Sequence, residues 1–349
     1  MGRARVGGRA HKGAVVKVLV TGGTSLLGLV TARRLLERGD DVTCMQRGRA
    51  DVDCRQLRVD VRDATEVARA VAGHDAVIHA AARVGVVGSW EDFRTVNIEG
   101  TANVVRAAAA AGVNRIVHVS SPSVGHAGKS LVGASADAPI TGRRGAAHYP
   151  ESKARAELLV LRAATNDLHV VVIRPHLVWG PGDEQLVGRI VARAHAGRLA
   201  LVNGGRALID TIYIDNAAQA LVAALDAPAK ACAGRAYVVA NGEPRPIREL
   251  VAGICAAAGA PFAPRSIPLR TATIIGGIVE STWRRFRPDD EPPITRFLAE
   301  QLGTAHWFDP RPARDDLDWT PSVTIDEGLA RLGAAYGRPP PMYGPPGGR

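Results

Sequence analysis

Tyr149 and Lys153 are four residues apart in the segment AAHYPESKARAE, and this spacing places a phenol and an ammonium on one face of a helix. A free tyrosine has a pKa of about 10, so its hydroxyl is a poor acid or base at neutral pH. A neighbouring cation favours the phenolate and lowers that pKa. The pair therefore predicts a proton donor beside its activator, although the same spacing also occurs on ordinary solvated helices.

A glycine-rich turn lies near the N-terminus, between a strand pattern and a helix pattern. An apolar, β-branched run over 15–20 leads into TGGTSLLG at 21–28, and a helical pattern follows. Glycines in such a turn allow the backbone to approach a pyrophosphate that lies on the helix N-terminus. Ser25 stands where this spacing usually has its middle glycine, which is the main departure. The order of strand, turn and helix predicts a dinucleotide site.

The residues after the second predicted strand, 41–45, bear on the choice of dinucleotide. An Asp or Glu there would bind the free 2′-hydroxyl of NAD(H), but the chain has Gln46, Arg47 and Gly48. A guanidinium suits a 2′-phosphate through charge-assisted, often bidentate hydrogen bonds. NADP(H) is therefore favoured and NAD(H) is the alternative, unless Arg47 is simply one of many surface arginines.

Strands and helices alternate along the first half of the chain. The further predicted elements are strands over 56–59, 76–79 and 115–119 and a helix over 97–110. This alternation predicts an α/β fold, a Rossmann-type doubly wound parallel sheet with a smaller C-terminal substrate lobe. Ligands bind at the carboxyl ends of strands in such sheets, which is where Asp60, Ala80 and Ser121 stand.

Short motifs follow one another along the chain in the order TGGTSLLG, DVRD, HAAA, VNIEGT, VSSPSV, YPESK and IRPHLVWGPGD. Together they resemble the extended short-chain dehydrogenase/reductase superfamily over nearly the whole chain. The later segments RPHLVWGPGD, DTIYIDNAAQAL and EPPITRF to DEGL resemble most the 3β-hydroxysteroid dehydrogenase group, which includes bacterial 2-alkyl-3-oxoalkanoate reductases. The QRG turn resembles the NADPH-using reductases of that group more than its NAD-using steroid oxidants.

The resemblance implies catalytic roles for Ser121, Tyr149 and Lys153. In such enzymes the tyrosine protonates a carbonyl oxygen, the serine polarises that oxygen, and the lysine binds the nicotinamide ribose and lowers the tyrosine pKa. These roles amount to general acid catalysis and stabilisation of a developing alkoxide, while the cofactor carries the hydride. Ketone reduction is favoured modestly over alcohol oxidation.

A larger set of residues is indicated for cofactor binding, from the glycine loop, the strand-end turns, the catalytic helix and a later strand. Its members are Gly22, Thr24, Ser25, Leu26, Leu27, Gly28, Gln46, Arg47, Asp60, Val61, Ala80, Ala81, Ala82, Asn97, Tyr149, Lys153, Pro175 and His176. Asn97 fits an ordinary helix-start asparagine equally well, and a wall role is slightly preferred for His176. No His, Cys and Asp spacing resembles a metal site.

Composition restricts the class of protein. The chain has 349 residues, of which 46% are hydrophobic, which suffices for a sizeable core. Its net charge is +10, but the arginines are dispersed and aromatic residues amount to 4%, so nucleic-acid binding is not indicated. The four cysteines lack CxxC spacing and fit a reducing cytoplasm. No stretch reaches the roughly 20 apolar residues that span a bilayer.

The motif order also predicts how the chain divides into domains. The predicted parts are a disordered basic extension at 1–14, a cofactor-binding domain at 15–177 with a return at 205–245, a substrate lobe at 178–204 and 246–337, and a flexible tail at 338–349. In the lobe, the apolar stretch 272–279 precedes the basic, aromatic segment 283–287. We predict a buried helix there in preference to contact with a membrane surface.

Three functions are open at this stage. The favoured one is an NADP(H)-dependent oxidoreductase acting on a small hydrophobic ketone or alcohol, such as a 3-oxoacyl chain, a steroid or a polyketide-like ring. A nucleotide-sugar epimerase or dehydratase with a retained cofactor is the alternative, weakened because Pro122 and Ser123 follow Ser121 in place of a dehydratase's Asp-Glu pair. A non-catalytic redox sensor would not need the triad. The resemblance also implies a homodimer.

Overall fold

The computed structural model describes residues 15–85, 88–125, 130–136, 139, 141–142, 147–286, 292 and 294–337. The predicted extension at 1–14 and the predicted tail at 338–349 lie outside the described residues. The strands are β1 Lys17–Thr21, β2 Asp41–Gln46, β3 Arg55–Arg58, β4 Ala76–His79, β5 Arg115–Val119, β6 Leu131–Ala134, β7 His169–Pro175, β8 Val178–Trp179, β9 Ala200–Val202, β10 Leu208–Ile209, β11 Ile212–Tyr213, β12 Arg235–Val239, β13 Arg245–Pro246, β14 Arg265–Ile267 and β15 His306–Phe308.

The helices alternate with these strands in the first half of the chain and predominate after it. They are α1 Leu26–Arg38, α2 Ala64–Val71, α3 Trp90–Phe93, α4 Gly100–Ala110, α5 His148–Arg162, α6 Val187–His195, α7 Ile214–Asp226, α8 Ala229–Cys232, α9 Ile247–Ala258, α10 Leu269–Phe286, α11 Arg296–Gly303, α12 Arg311–Leu317 and α13 Ile325–Ala335. A π-helical segment, Arg94–Glu99, joins α3 to α4 without a break. Short 3₁₀ turns occur at Pro122–Gly125 and Asn203–Gly205.

Seven parallel strands form the main sheet, in the order β12-β7-β5-β4-β1-β2-β3. The order reverses at β1, because β2 and β3 extend the sheet on one side and the later strands extend it on the other. A reversal of this kind leaves a crevice between β1 and β4 at the carboxyl ends of the strands. The predicted Rossmann-type, doubly wound sheet is confirmed.

The strands of this sheet are buried on both faces, which is why they are continuous apolar runs and do not alternate. Val18 and Val20 pack towards α1 and α7, where Leu35 and Leu221 belong to the same cluster. Leu19 packs on the opposite face, in the cluster formed with α2, α4 and α5. All three β1 side chains are fully buried. The two helical layers therefore hold the carboxyl ends of the strands in fixed register.

The C-terminal half adds a second apolar cluster and smaller sheets. Trp179 lies at the centre of a cluster with residues of α6, α9 and α13. A four-stranded sheet has the order β13-β10-β15-β6. In it, β15 pairs in parallel with β6, the strand that follows the turn containing Ser121. The C-terminal part of the chain is thereby joined to the predicted catalytic turn, and the division into two domains stays a prediction.

Helix α10 buries only one of its sides. Ala272 is buried, and a Cβ on Gly276 would lie 2.7 Å from the backbone of Thr295, so α10 and the segment before α11 approach closely there. On the outer side, Ile274 and Ile278 are 64% and 63% exposed. The predicted buried helix thus describes one face of α10. Within the described part of the chain, no helix combines the length and apolar character needed to cross a membrane.

Candidate active site

The glycine turn after β1 is shaped by contacts that only glycine permits. Gly22 has φ +77°, and a Cβ there would lie 2.8 Å from the backbone nitrogen of Ala81. A Cβ on Gly28 would lie 2.3 Å from the carbonyl oxygen of Gly22. Ser25 donates to that same carbonyl at 2.8 Å and accepts from the Gly28 N–H at 3.1 Å as the N-cap of α1. The departure at Ser25 therefore closes the turn and caps the helix, which a glycine could not do.

A cavity of ≈ 200 Å³ lies at the carboxyl ends of β1, β2 and β4. The predicted cofactor residues that line it are Gly22, Thr24, Ser25, Gln46, Arg47, Asp60, Val61, Ala80, Ala81 and Ala82. Sequence reasoning missed five other lining residues, Met45, Val59, Arg83, Val84 and Val96. Each stands next to a predicted residue or two positions away, so widening each motif would have found them. Leu26 and Leu27 instead pack into the apolar cores.

The lining of this cavity fits a dinucleotide. The Gln46 Oε1 atom is buried and has no hydrogen-bond partner among the described residues, and a buried acceptor of this kind calls for a donor such as a ribose hydroxyl. The backbone at Gly22 leaves a cradle that a Cβ would fill. The exposed Arg47 follows Gln46, with no carboxylate at the end of β2. Asp60 accepts three hydrogen bonds from Arg62, whose guanidinium lowers the pKa of that carboxyl.

Ser121 and Tyr149 meet at the carboxyl end of β5. The turn after β5 presents Ser121, and the first turn of α5 presents Tyr149, whose hydroxyl lies close enough to that of Ser121 to interact with it. Ser121 Oγ also lies 2.9 Å from Ser123 Oγ and accepts the Ser123 N–H at 3.3 Å. Burial raises the pKa of Tyr149, and the interaction of its hydroxyl with the Ser121 side chain opposes that rise. The phenol is therefore protonated at neutral pH, as a proton donor must be.

Lys153 is anchored to the backbone of β5. Its Nζ donates to the carbonyl oxygen of Val119 at 2.6 Å, and the residue is 3% exposed. Burial lowers the pKa of Lys153 to about 8, and the nearby carboxylate of Glu157 opposes that change. The effect of Lys153 on the pKa of Tyr149 stays a prediction, and in this structure burial raises that pKa while the interaction with Ser121 lowers it.

A buried ion pair fastens α5 to the sheet below the catalytic residues. Glu157, one turn after Lys153, accepts from the Arg174 guanidinium at 3.1 Å and from the Ser120 hydroxyl at 2.5 Å. Glu157 and Arg174 are 0% and 2% exposed. Because Ser120 precedes Ser121 and Arg174 is the last residue but one of β7, this carboxylate ties the helix to two strand ends at once.

Two buried histidines lie on the same side of the sheet as α5. The rings of His79 and His118 are 5.3 Å apart. Burial, reinforced by the cation of Lys153, lowers the pKa of His79 to about 3 and that of His118 well below its ordinary value, so both are neutral. Neither ring nitrogen of His118 has a hydrogen-bond partner among the described residues. The described residues also contain no group of three or more His, Cys, Asp or Glu able to hold a metal.

The remaining predicted residues lie at the walls of the site. Asn97 is buried in the π-helical segment and binds the backbone of Arg83, which lines the cavity. Pro175 ends β7, and His176 donates through Nδ1 to the carbonyl oxygen of Asp210 at 2.6 Å. The His176 ring packs edge-on against Phe308 of β15 at 4.9 Å. These contacts agree with the wall role that was preferred for His176.

Comparison with known proteins also supports a dinucleotide site in this chain. The family model described as "NAD dependent epimerase/dehydratase family" matches residues 18–240. A 2-alkyl-3-oxoalkanoate reductase from Stenotrophomonas maltophilia (strain K279a) is 46% identical over 327 residues, covering 92% of this chain and 99% of the relative. A 3-beta-hydroxysteroid dehydrogenase from Mycolicibacterium neoaurum is 30% identical, covering 90% and 89%. The structure of a UDP-glucuronic acid 4-epimerase from Bacillus cereus in complex with NAD has a TM-score of 0.71 at 19% identity, covering 92% and 98% of the two chains, and shares the fold.

Proposed function

The chain belongs to the NAD-dependent epimerase/dehydratase family, the extended branch of the short-chain dehydrogenase/reductases, and from that premise we propose that it reduces a hydrophobic ketone with NADPH. The sequence-based assignments to this family and to an NAD(P)-dependent oxidoreductase are confirmed. The observation that carries the proposal is the interaction between the hydroxyls of Ser121 and Tyr149, which lie close together at the carboxyl end of β5. It places two hydroxyls where one carbonyl oxygen can meet both.

The residues of the site have distinct tasks in this reaction. Ser121 donates to the substrate carbonyl oxygen and polarises it, and Tyr149 transfers its proton to that oxygen as negative charge develops there. A bound nicotinamide supplies the hydride. The Val119 carbonyl positions the Lys153 ammonium one helical turn after Tyr149, and Glu157 favours its protonated form. Tyr149 then recovers a proton from solvent or from Lys153.

The turn after β2 supports a preference for NADPH. Gln46 and Arg47 line the cavity at the end of β2, and neither supplies the carboxylate that binds a free ribose 2′-hydroxyl in NAD sites. The Arg47 guanidinium suits a 2′-phosphate, with which it can form two parallel hydrogen bonds. Gly22 and Ser25 leave the N-terminus of α1 open to the pyrophosphate. We accordingly assign the predicted cofactor residues around this cavity to NADP(H).

A 2-alkyl-3-oxoacyl compound is the substrate class that we favour. The relative with 46% identity is named for this activity, and it covers 92% of the chain. A steroid is the second candidate, because a relative with 30% identity is named for that activity. The nucleotide-sugar epimerase alternative is less supported, since Pro122 and Ser123 follow Ser121 without an Asp-Glu pair.

We also propose a cytoplasmic homodimer. All four cysteines are free thiols, which agrees with a reducing compartment. The outer faces of α4 and α5 support pairing of two copies, because α4 exposes the small residues Ala109 and Ala110 and α5 leaves Leu158 half-buried. Membrane contact through α10 is not part of the proposal.

The test is a turnover assay with NADPH and NADH against 2-alkyl-3-oxoacyl and 3-oxosteroid panels. Wild-type protein should oxidise NADPH with the first panel, and Tyr149→Phe should lose about 10²- to 10⁴-fold in kcat with unchanged NADPH affinity. Tyr237→Phe is the matched control. Tyr237 is a buried residue of β12, and its hydroxyl donates to Asp316 of α12, away from the site. Tight cofactor retention without net NADPH consumption would replace the reductase with an epimerase. NADPH binding without turnover, and unaffected by Tyr149→Phe, would indicate a sensor.

A further inference from the structure

A buried chain of hydrogen bonds connects the cofactor cavity to the catalytic helix. Its side chains come from β1, β4, the π-helical segment, α4 and α5. They are Thr21, His79, Asn97, Thr101 and Ser152, and none is more than 1% exposed. Its two ends are the backbone of Ala81, which lines the cavity, and the backbone of Tyr149.

The hydroxyl hydrogen of Thr101 fixes which groups donate and which accept in the first half of this hydrogen-bond chain. Thr101 donates it to the carbonyl oxygen of Asn97 at 2.7 Å, because a carbonyl can only accept. The 2.9 Å contact between Thr101 Oγ1 and His79 Nε2 must then have the imidazole as donor. Neutral His79 has one ring proton, so its Nδ1 accepts from the Thr21 hydroxyl at 2.7 Å. Thr21 in turn accepts the Ala81 N–H at 3.1 Å.

The second half runs from Asn97 to the proton donor. The Asn97 amide is oriented by the Arg83 backbone, which donates to Oδ1 at 2.7 Å and accepts from Nδ2 at 3.0 Å. Nδ2 also donates to Ser152 Oγ at 2.9 Å. The Ser152 hydroxyl in turn donates a hydrogen bond to the carbonyl oxygen of Tyr149 at 2.8 Å. Every donor and acceptor in the chain is thereby assigned, and no link can reverse without leaving a buried group unpaired.

We propose that Thr101 and His79 are positioning residues that hold the Tyr149 end of α5 in register with the cofactor cradle. The inference rests on the proposed function, because the cradle must hold a nicotinamide cofactor for the register to matter. Neither residue lines the cavity, so neither touches the cofactor there. They act through the relative placement of two elements, and a misplacement of about 1 Å can cost about 10²-fold in rate.

The kinetic test cuts the chain at Thr101. Thr101→Val removes the hydroxyl at nearly constant shape, and Thr101→Ser retains it. We expect Thr101→Val to lose about 10- to 100-fold in kcat with little change in substrate KM, and Thr101→Ser to recover most of the loss. Thr31→Val is the matched control. Thr31 is fully buried and donates to the carbonyl of Leu27 at 2.7 Å within α1, so it takes no part in this hydrogen-bond chain. It should lose a similar amount of thermal stability with unchanged kcat.

A second readout does not depend on turnover. NADPH should slow hydrogen–deuterium exchange of the backbone amides at 149 and 151–153 in wild type and Thr101→Ser, but not in Thr101→Val, because the coupling between the cradle and α5 depends on that hydroxyl. Equal protection in Thr101→Val, or equal kcat losses in Thr101→Val and Thr31→Val, would overturn the proposal. If wild type binds NADPH but reduces no ketone, the exchange experiment still tests the coupling, so failure of the two proposals can be told apart.

Discussion

Lys153 donates to the carbonyl oxygen of Val119 at 2.6 Å, so the ammonium is fixed to the strand whose following turn presents Ser121. The same helix presents Tyr149 one turn earlier, where the phenol interacts with the Ser121 hydroxyl. The strand and the helix therefore share two contacts, one through a backbone carbonyl and one between hydroxyls. Because the lysine is buried, its charge state depends on pH near the physiological range.

The pH dependence of reduction should follow Lys153. Its pKa is lowered to about 8, so the ammonium is present below that pH and lost above it, whereas the raised pKa of Tyr149 keeps the phenol protonated. We expect kcat/KM to be constant between pH 6 and about 7.5 and to fall by up to about tenfold per unit above pH 8. Lys153→Arg, which stays charged, should shift the fall to higher pH. A wild-type profile that stays level to pH 10 would contradict this assignment.

Acid stability should depend on His118. Its pKa in the folded protein is well below 6.5, so the unfolded chain binds a proton that the folded chain does not as the pH falls below 6.5. The stability that neutral His118 contributes is complete above that pH and is lost below it. His118→Leu should therefore reduce the slope of unfolding free energy between pH 5 and 6.5 by up to about 1.4 kcal/mol per unit. Urea unfolding at a series of pH values measures this slope, and an unchanged slope in His118→Leu would contradict the assignment.

The Glu157 carboxylate should be essential for stability. Glu157→Gln leaves the Arg174 guanidinium buried without a counter-charge, and breaking such a pair costs about 3–5 kcal/mol. Glu66→Gln provides the comparison, since its pair with Arg69 is exposed and is worth about 0–1 kcal/mol. Urea unfolding at pH 7 gives both values. Equal effects of the two substitutions would mean that the buried pair contributes no more than a surface pair.

Cofactor preference should depend on Arg47. Arg47→Gln removes the guanidinium proposed to bind the 2′-phosphate, and we expect the Kd of NADPH to rise about 10- to 100-fold, while the Kd of NADH changes by no more than about twofold. Arg49→Gln is the control, because Arg49 is also exposed but lines a different groove. Fluorescence titration with both dinucleotides measures the four affinities. A parallel loss for NADPH and NADH would show that Arg47 does not discriminate between them.

Local patterns in the sequence were sufficient for the sheet. Strands at 76–79 and 115–119 were predicted with the bounds that the structure has, because an apolar, β-branched run bounded by turn residues has few other solutions. Motif order assigned Ser121, Tyr149 and Lys153 to the candidate site, which stays a prediction, but it did not indicate the contact between Lys153 and Val119. The partner of Lys153 is a backbone carbonyl, which carries no residue identity and leaves no pattern in the sequence.

Longer-range relationships were beyond sequence reasoning. Thr21, His79 and Thr101 were not recognised as a group, because their separations of 58 and 22 residues become contacts only when β1, β4 and α4 have packed. The predicted helix at 97–110 began inside the π-helical segment Arg94–Glu99, since hydrophobic periodicity does not distinguish a π turn from an α turn over so few residues.

The π-helical segment Arg94–Glu99 has a consequence for the gene. A π turn contains one residue more than an α turn, and each residue in a helix adds about 100° of rotation. Loss of a single codon from this stretch would convert a π turn into an α turn, and because both complete one revolution, Thr101 and the rest of α4 would keep their orientation towards His79. An in-frame deletion of one codon before Asn97 should therefore leave α4 facing His79, whereas deletion of one codon within α4 would rotate the residues after it by about 100°.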